Sequence, residues 1–512
     1  MSHDSTNRAS IIFAFLVLAA LALRLSTVGS KPIWEDEAWT FVTAVAPEGL
    51  LAISGNDLHP LSFYAFYRML PSWFFESDFN FRIPSMLFSC VSVLLAARFF
   101  KLAISDRSLQ MGSIALFALL PLNVRYSYEA RAYALAEMMS LAVLTTYLSF
   151  RQRPSRGRLV ALGGAVALSC HLDGFGLAAP FAVFLHAMIH YKTEPAVRRA
   201  FWTVIVGGLL ASPYYLFRVS LFAAAPEVHT VGEPASLITS FAGRLVELSP
   251  VGIGFDQVSR NHRWAIFILA VLVLIVLVAS AKSARSCWRS DSRRLLAILL
   301  MATPAIYAII SVVFGVSIIH KKYLIVTVPA FVPLFAAGFT HLVRNRRLPL
   351  ILMLAVLPAA VSVHLIATPG SRADWRTLHE KLKSEIRPGD RFVQELQENY
   401  ELYSFGSLRA YAWRSGDMIS ASRMLEYRPA ITSHDAVIKI ENASAWTDLA
   451  SQSAMEDFIR TSPDGRVWAL STEWMARGRT LDLSAIADRQ MSVTADGVLA
   501  TLWRRRVITR GG

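Results

Sequence analysis

Three consecutive carboxylates, Glu35, Asp36 and Glu37, stand between Trp34 and Trp39 directly after the first long apolar run of the chain. Acids at a membrane surface cost free energy unless they are paired or wet, so a triplet there marks a site. Asp36 and Glu37 form the candidate catalytic pair. Such a carboxylate can take the proton of an acceptor hydroxyl or hold a cation beside a charged substrate. The plainer reading is a cap for a short helix beginning near Ala38, but capping needs one acid and not three. Asp57, His59 and Pro60 follow in the same segment, then Arg82 at the mouth of the second apolar run. His59-Pro60 also reads as an exposed turn, and Arg82 as a helix-end anchor near head groups.

A second cluster runs Arg125-Tyr126-Ser127-Tyr128-Glu129-Ala130-Arg131-Ala132-Tyr133 and joins two apolar runs where a short neutral turn would suffice. Charges at that depth need partners or a wet cavity. An internal Arg–Glu pair is the plain explanation. The functional one turns Glu129 toward a sugar or cation and arginine toward phosphate. A third cluster, His320-Lys321-Lys322-Tyr323, opens a later apolar run. Lysine serves phosphate as a point charge, and snorkelling toward lipid head groups is its ordinary use.

The elements that must position these residues are membrane spans. Of 512 residues 54% are hydrophobic, and mean hydropathy is +0.42. A bilayer crossing takes about 20 residues as helix, and runs of that order fill the chain before residue 370. About eleven spans are expected, near 11–28, 83–103, 109–124, 131–150, 159–172, 174–191, 201–219, 264–281, 295–315, 323–343 and 349–368. Arg and Lys gather in the loops after the second, fourth, sixth, eighth and tenth spans, which places those loops in the cytoplasm by the positive-inside bias. The net charge of +14 therefore belongs to topology, and nucleic acid is not an expected partner. The acidic segment within outer loop 29–82, the turn 125–130 and everything beyond 369 then share the opposite side. Cys90, Cys170 and Cys287 lie far apart, which argues against a disulfide framework or a structural zinc. The first span reads as a retained helix and not a cleaved signal.

Residues 369–512 change character. An amphipathic helix is expected over 374–386, with strands at 391–394, 436–440 and 467–470, and a final hairpin turning at Ala495-Asp496-Gly497. The expected organisation is thus a helical polytopic membrane domain, 1–368, and a small extracytoplasmic α/β domain, 369–512.

The acidic pair after the first span, His59-Pro60 on the same loop, and Arg-Tyr-Ser-x-Glu-Ala-Arg-x-Tyr together resemble the GT-C glycosyltransferases. More narrowly they resemble the bacterial branch of protein O-mannosyltransferases, lipid A aminoarabinose transferases and relatives acting on lipopolysaccharide cores. Lys322-Tyr323-Leu324-Ile325 through Pro329 is similar to that branch's basic-Tyr-Leu helix, and Asp374-Trp375-Arg376 with Pro388-Gly389-Asp390 to the start of its outer domain. The resemblance implies a GT-C-like fold, a polyprenyl-phosphate sugar donor and an inverting transfer to an acceptor hydroxyl outside the bacterial inner membrane. It implies Asp36 as general base supported by Glu37, Glu129 as the second acidic position, and Lys321 or Lys322 as the phosphate-binding cation. The chain departs from the branch in having Leu61 after His59-Pro60 where a second proline is usual.

A flippase for lipid-linked sugars, or an enzyme like the O-antigen ligases and polymerases, would use similar residue types. The former is disfavoured by charge on one side and the lack of an inverted repeat. Donor sugar and acceptor (glycan, lipid or protein) stay open. A divalent cation held by Asp36, Glu37, His59 and Glu129 would suit the chemistry, but no spacing requires one.

Overall fold

The computed structural model describes residues 3–29, 31–33, 35–45, 61–172, 174–223, 263–283, 287–289, 291–314, 321–342, 359–361, 363, 375–382, 384–385, 391–394, 466–472, 487–495 and 498–505. The helices are α1 (His3–Val28), α2 (Glu35–Val45), α3 (Leu61–Arg68), α4 (Asp78–Ala103), α5 (Arg107–Leu119), α6 (Pro121–Ser127) and α7 (Tyr133–Gln152). After these come α8 (Arg156–Leu172), α9 (Ala178–His190), α10 (Pro195–Ala223), α11 (Arg263–Ser280), α12 (Ser292–Phe314), α13 (Val328–Leu342) and α14 (Trp375–Leu382). Strands are β1 (Arg391–Gln394), β2 (Arg466–Thr472), β3 (Ala487–Ala495) and β4 (Val498–Arg505). Two compact units result: Met1–Ser30, Glu48–Leu70 and Phe81–Thr368 make one, and Lys31–Pro47, Pro71–Asn80 and Pro369–Gly512 the other.

In the first unit each of the first ten expected spans falls on helix, while most of 349–368 lies outside the described residues. Among the described residues Asp78–Ala103, Tyr133–Gln152 and Leu324–Leu342 are long and apolar enough to cross a membrane. The span expected at 109–124 is not one helix. Asp106 caps α5 by accepting from the Leu109 amide at 2.8 Å, and the helix stops at Leu120 (φ −59°, ψ 125°) before Pro121 starts α6. The proline ring disfavours helical ψ at the preceding residue, and here Leu120 takes the extended conformation where the two helices meet. The run expected from 323 likewise opens as a 3-10 turn, Lys321–Thr327, before α13.

Loops after the second, fourth, sixth and eighth spans meet at one end of this unit. Arg151 at the end of α7 grips Glu194, before α10, through Nε (2.9 Å) and Nη2 (2.5 Å), and its Nη2 lies 3.7 Å from Asp291, before α12. The Arg289 amide donates to the Ala103 carbonyl at 2.9 Å, and the Ser105 amide to that of Cys287 at the same distance. Helices crossing in alternate directions place these four loops together. Between the ends, Phe99, Phe117, Tyr147, Leu296 and Phe331 belong to one buried cluster. Helix α13 crosses α11 closely enough that a Cβ on Gly338 would sit 1.8 Å from the Val276 carbonyl oxygen. Without a strong hydrophobic drive between helices in lipid, small residues supply the backbone approach that packing needs.

The second unit holds a four-stranded sheet of order β1-β2-β4-β3, with β1 parallel to β2 and the other pairs antiparallel. The expected strands at 391–394 and 467–470 and both strands of the final hairpin are present; 436–440 lies outside the described residues. Ala495 pairs with Val498, leaving Asp496-Gly497 between the strands, the two-residue loop that favours left-handed backbone. Trp468 is fully buried, opposite Leu502 on the neighbouring strand. Helix α14 packs against β3 and β4, and Leu378 and Leu382, one turn apart, are both buried.

Gly338→Ala is expected to lower the melting temperature in detergent by the equivalent of about 1–3 kcal/mol, because the backbone of α11 must shift. A second expectation concerns Glu194, which the Arg151 guanidinium holds below the usual carboxylate range by hydrogen bonding to it. A depressed folded-state pKa contributes stability above the unfolded value, near 4.5, that is lost as pH falls through the folded one. Glu194→Gln should therefore lower the melting temperature near neutral pH, and the difference from wild type should shrink as pH drops below about 4. The side chain is 35% exposed, so water screens the pair and the effect is modest.

Candidate functional site

The break at Leu120 lets α6 carry Arg125 and Tyr126 into a tight turn that ends where α7 begins. Arg125 Nε lies 3.2 Å from Glu129 Oε1, one helical turn along the chain. The Arg131 amide donates to the Glu129 carbonyl at 2.7 Å, folding the chain back on itself. The Tyr126 and Tyr133 rings meet edge to face at 4.9 Å across the turn. Glu129 and Arg131 are 1% and 2% exposed, whereas the Arg125 side chain keeps 20% of its surface open.

Arg131 Nη1 donates to the Tyr64 hydroxyl at 3.0 Å, so α3 from the first loop is fastened to this turn. Two residues before Tyr64, Ser62 donates to the His171 carbonyl at the end of α8. The 3-10 turn Lys321–Thr327 packs on α7, and Leu324, Ile325 and Val326 are buried. The turn thus holds two arginines and one glutamate within seven residues. Guanidinium groups fixed in this way suit a planar anion or phosphate oxygens.

Arg82 is fully buried and donates through Nη1 to the Val28 carbonyl at 3.1 Å. It therefore satisfies the last residue of α1, where helix carbonyls lack partners and a cation is favoured. Helix α2 begins at Glu35, not near Ala38, so Glu35, Asp36 and Glu37 occupy its first three positions, where the helix dipole favours acid. Glu37 is fully buried in the second unit together with Ala38, Thr40 and Phe41. The Asp36 side chain lies outside the described residues, as do His59, His320 and the side chains of Lys321, Lys322 and Tyr323. Among the described residues no group of three or more His, Cys, Asp or Glu stands close enough to hold a metal ion.

Sequence reasoning passed over Tyr64, Arg24 and Glu137. Arg24, fully buried in α1, donates to Ser89 Oγ (2.9 Å) and to the Ala20 (3.0 Å) and Ala118 (2.9 Å) carbonyls. Glu137, 1% exposed in α7, attracts Arg24 and faces the Asn123 amide, though neither carboxylate oxygen reaches hydrogen-bond distance of a described partner. A lone ionisable residue inside an apolar run was the available signal for both. Tyr64 offered none, since tyrosine is common at the membrane interface.

The fold is that of a GT-C membrane protein, helical and polytopic, with a small C-terminal α/β domain. The chain is similar to ArnT from Cupriavidus metallidurans in the apo state, with a TM-score of 0.54 and 10% identity over 97% of this chain and 98% of that one. A second structure of that protein, bound to undecaprenyl phosphate, gives a TM-score of 0.43 and 10% identity over 98% and 99% of the two chains. No family model matches the chain, and no curated protein sequence matches it.

Tyr64→Phe removes a hydroxyl acceptor from a buried guanidinium and is expected to cost about 1–3 kcal/mol. Denaturant or thermal unfolding in detergent would measure it, and an unchanged midpoint would show that the Arg131–Tyr64 bond does not hold α3.

Proposed function

We propose that this chain is an inverting glycosyltransferase that moves a sugar from a polyprenyl-phosphate donor to an acceptor hydroxyl at the outer face of a bacterial plasma membrane. The observation that carries the reading is the Arg125–Glu129–Arg131 turn, which fixes two guanidinium groups beside a carboxylate just after the Leu120-Pro121 break of a GT-C-like fold. A phosphate-linked donor needs fixed cations where charge grows on the departing polyprenyl phosphate, and immobile guanidinium groups meet that need without reorganising. In this reading Arg125 and Arg131, with Lys321 or Lys322, bind the phosphate. His59, Tyr126, His320 and Tyr323 contact the sugar or its carrier, and Arg82 keeps the first two spans in register.

Asp36, with Glu37 beside it, takes the proton of the acceptor hydroxyl as that oxygen attacks the anomeric carbon from the face opposite phosphate. The glycosidic bond forms as the carbon–phosphate-oxygen bond breaks, and the electron pair leaves with the polyprenyl phosphate. Inversion follows from a single displacement. The prenyl chain lies among the helices of the first unit, and residues 369–512 face the same side as α2. The donor sugar is any that bacteria attach to a polyprenyl phosphate, and the acceptor is a glycan, lipid or protein of the cell envelope, lipopolysaccharide included.

Purified protein in nanodiscs, given radiolabelled polyprenyl-phosphate sugars and envelope extract, should release polyprenyl phosphate as labelled product appears. Asp36→Asn should lower turnover by about 100-fold or more while the protein still inserts and binds donor. Unchanged turnover would remove Asp36 from its role, and movement of intact donor between leaflets without product would favour a flippase.

A further inference from the structure

Arg376 sits in α14, just after the Asp374-Trp375 stretch whose sequence resembles the start of an outer domain. Its guanidinium donates through Nη2 to the Lys31 carbonyl at 3.2 Å and pairs with the Asp78 carboxylate. Lys31 lies four residues before Glu35, the first residue of α2. Asp78 is the first residue of α4 and its side chain is only 5% exposed. One side chain thus ties the entry to the acidic helix, the start of a spanning helix and the C-terminal domain within a single compact unit. A second fastening runs beside it: the Phe41 ring of α2 meets Phe75 of the Ser72–Phe75 turn edge-on at 5.6 Å.

We infer that Arg376 is a positioning residue for α2, and that the C-terminal domain, through this clasp, fixes where the Asp36–Glu37 pair stands. The inference rests on the transfer reaction proposed above. A proton acceptor works only within hydrogen-bond reach of its donor, and displacement by about 1 Å can cost on the order of 100-fold in rate. Both bonds leave one nitrogen, Nη2, whose N–H groups are fixed in the guanidinium plane, whereas a lysine ammonium carries freely rotating donors. The Asp78 carboxylate is shielded from water, while the Arg376 side chain keeps 41% of its surface open, so solvent screens the pair from one side only.

The test compares Arg376→Ala, Arg376→Lys, Asp78→Asn and the double variant Arg376→Ala/Asp78→Asn in the full chain. Amide hydrogen exchange over 35–45 is read without substrate, and kcat and donor KM are read with it. Arg376→Ala should speed exchange across α2 at least tenfold while the β3–β4 hairpin keeps its protection. Its kcat should fall about 10- to 100-fold with donor KM within about threefold. Arg376→Lys should lie between it and wild type, and the double variant should fall no further than the worse single one, as members of one interaction do. Unchanged exchange in α2, or a kcat within twofold of wild type, would overturn the inference. Should Arg376→Ala fail to fold, Asp78→Asn, which keeps the side-chain shape, gives the same two readings. A wild-type protein that transfers no sugar would instead sink the proposed function, and the exchange measurement would still decide the clasp.

Discussion

Ionic groups inside a helical membrane domain must find partners within the protein, since lipid offers none, and this constraint shapes the first unit. Arg24, Arg82 and Arg131 are each nearly or wholly buried, and each spends its guanidinium on a carbonyl or hydroxyl from another part of the chain. Arg24 draws α4 and α5 to α1, Arg82 closes the end of α1 from α4, and Arg131 brings α3 to the turn before α7. The contacts that neutralise the cost of burial are the ones that set where the helices stand. Glu129 extends the same logic to the candidate site, where its carboxylate accepts from Arg125 while Arg131 donates to Tyr64.

At the other end of the unit the solution differs. Arg151, His190, Glu194 and Asp291 come from helix ends and loops, and several keep part of their surface open to water. Such pairs add little stability singly, but they gather loops from alternate crossings at one end. That segregation matches what the basic loops require under the positive-inside bias. It leaves the turn 125–132, α3 and the end of α8 to share the opposite end, where Ser62 meets His171 and Tyr64 meets Arg131.

The second unit gives the acidic helix a different support. Segments on both sides of α3 join the C-terminal strands in one compact unit, and the chain just before α2 is bonded to a residue 345 positions away, Arg376 to Lys31. No periodicity encodes such a contact. The hydropathy pattern grouped 29–82 with the spans because it measures only neighbours along the chain.

Much of the architecture was legible beforehand because it depends on local chemistry. Long apolar runs must become helix in lipid, since only helix pairs every backbone group within the segment. Asp496-Gly497 between alternating residues specifies a hairpin. An internal Arg–Glu pair was one of the two readings of the 125–133 cluster, and Arg125 does pair with Glu129. Tertiary structure alone decided that Tyr64 receives Arg131, that Arg82 serves the end of α1, and that Arg376 joins Lys31 and Asp78. The physical reason is that a buried guanidinium can be satisfied by any carbonyl or hydroxyl that packing brings within about 3 Å, so the residue types limit the choice and the arrangement of helices makes it.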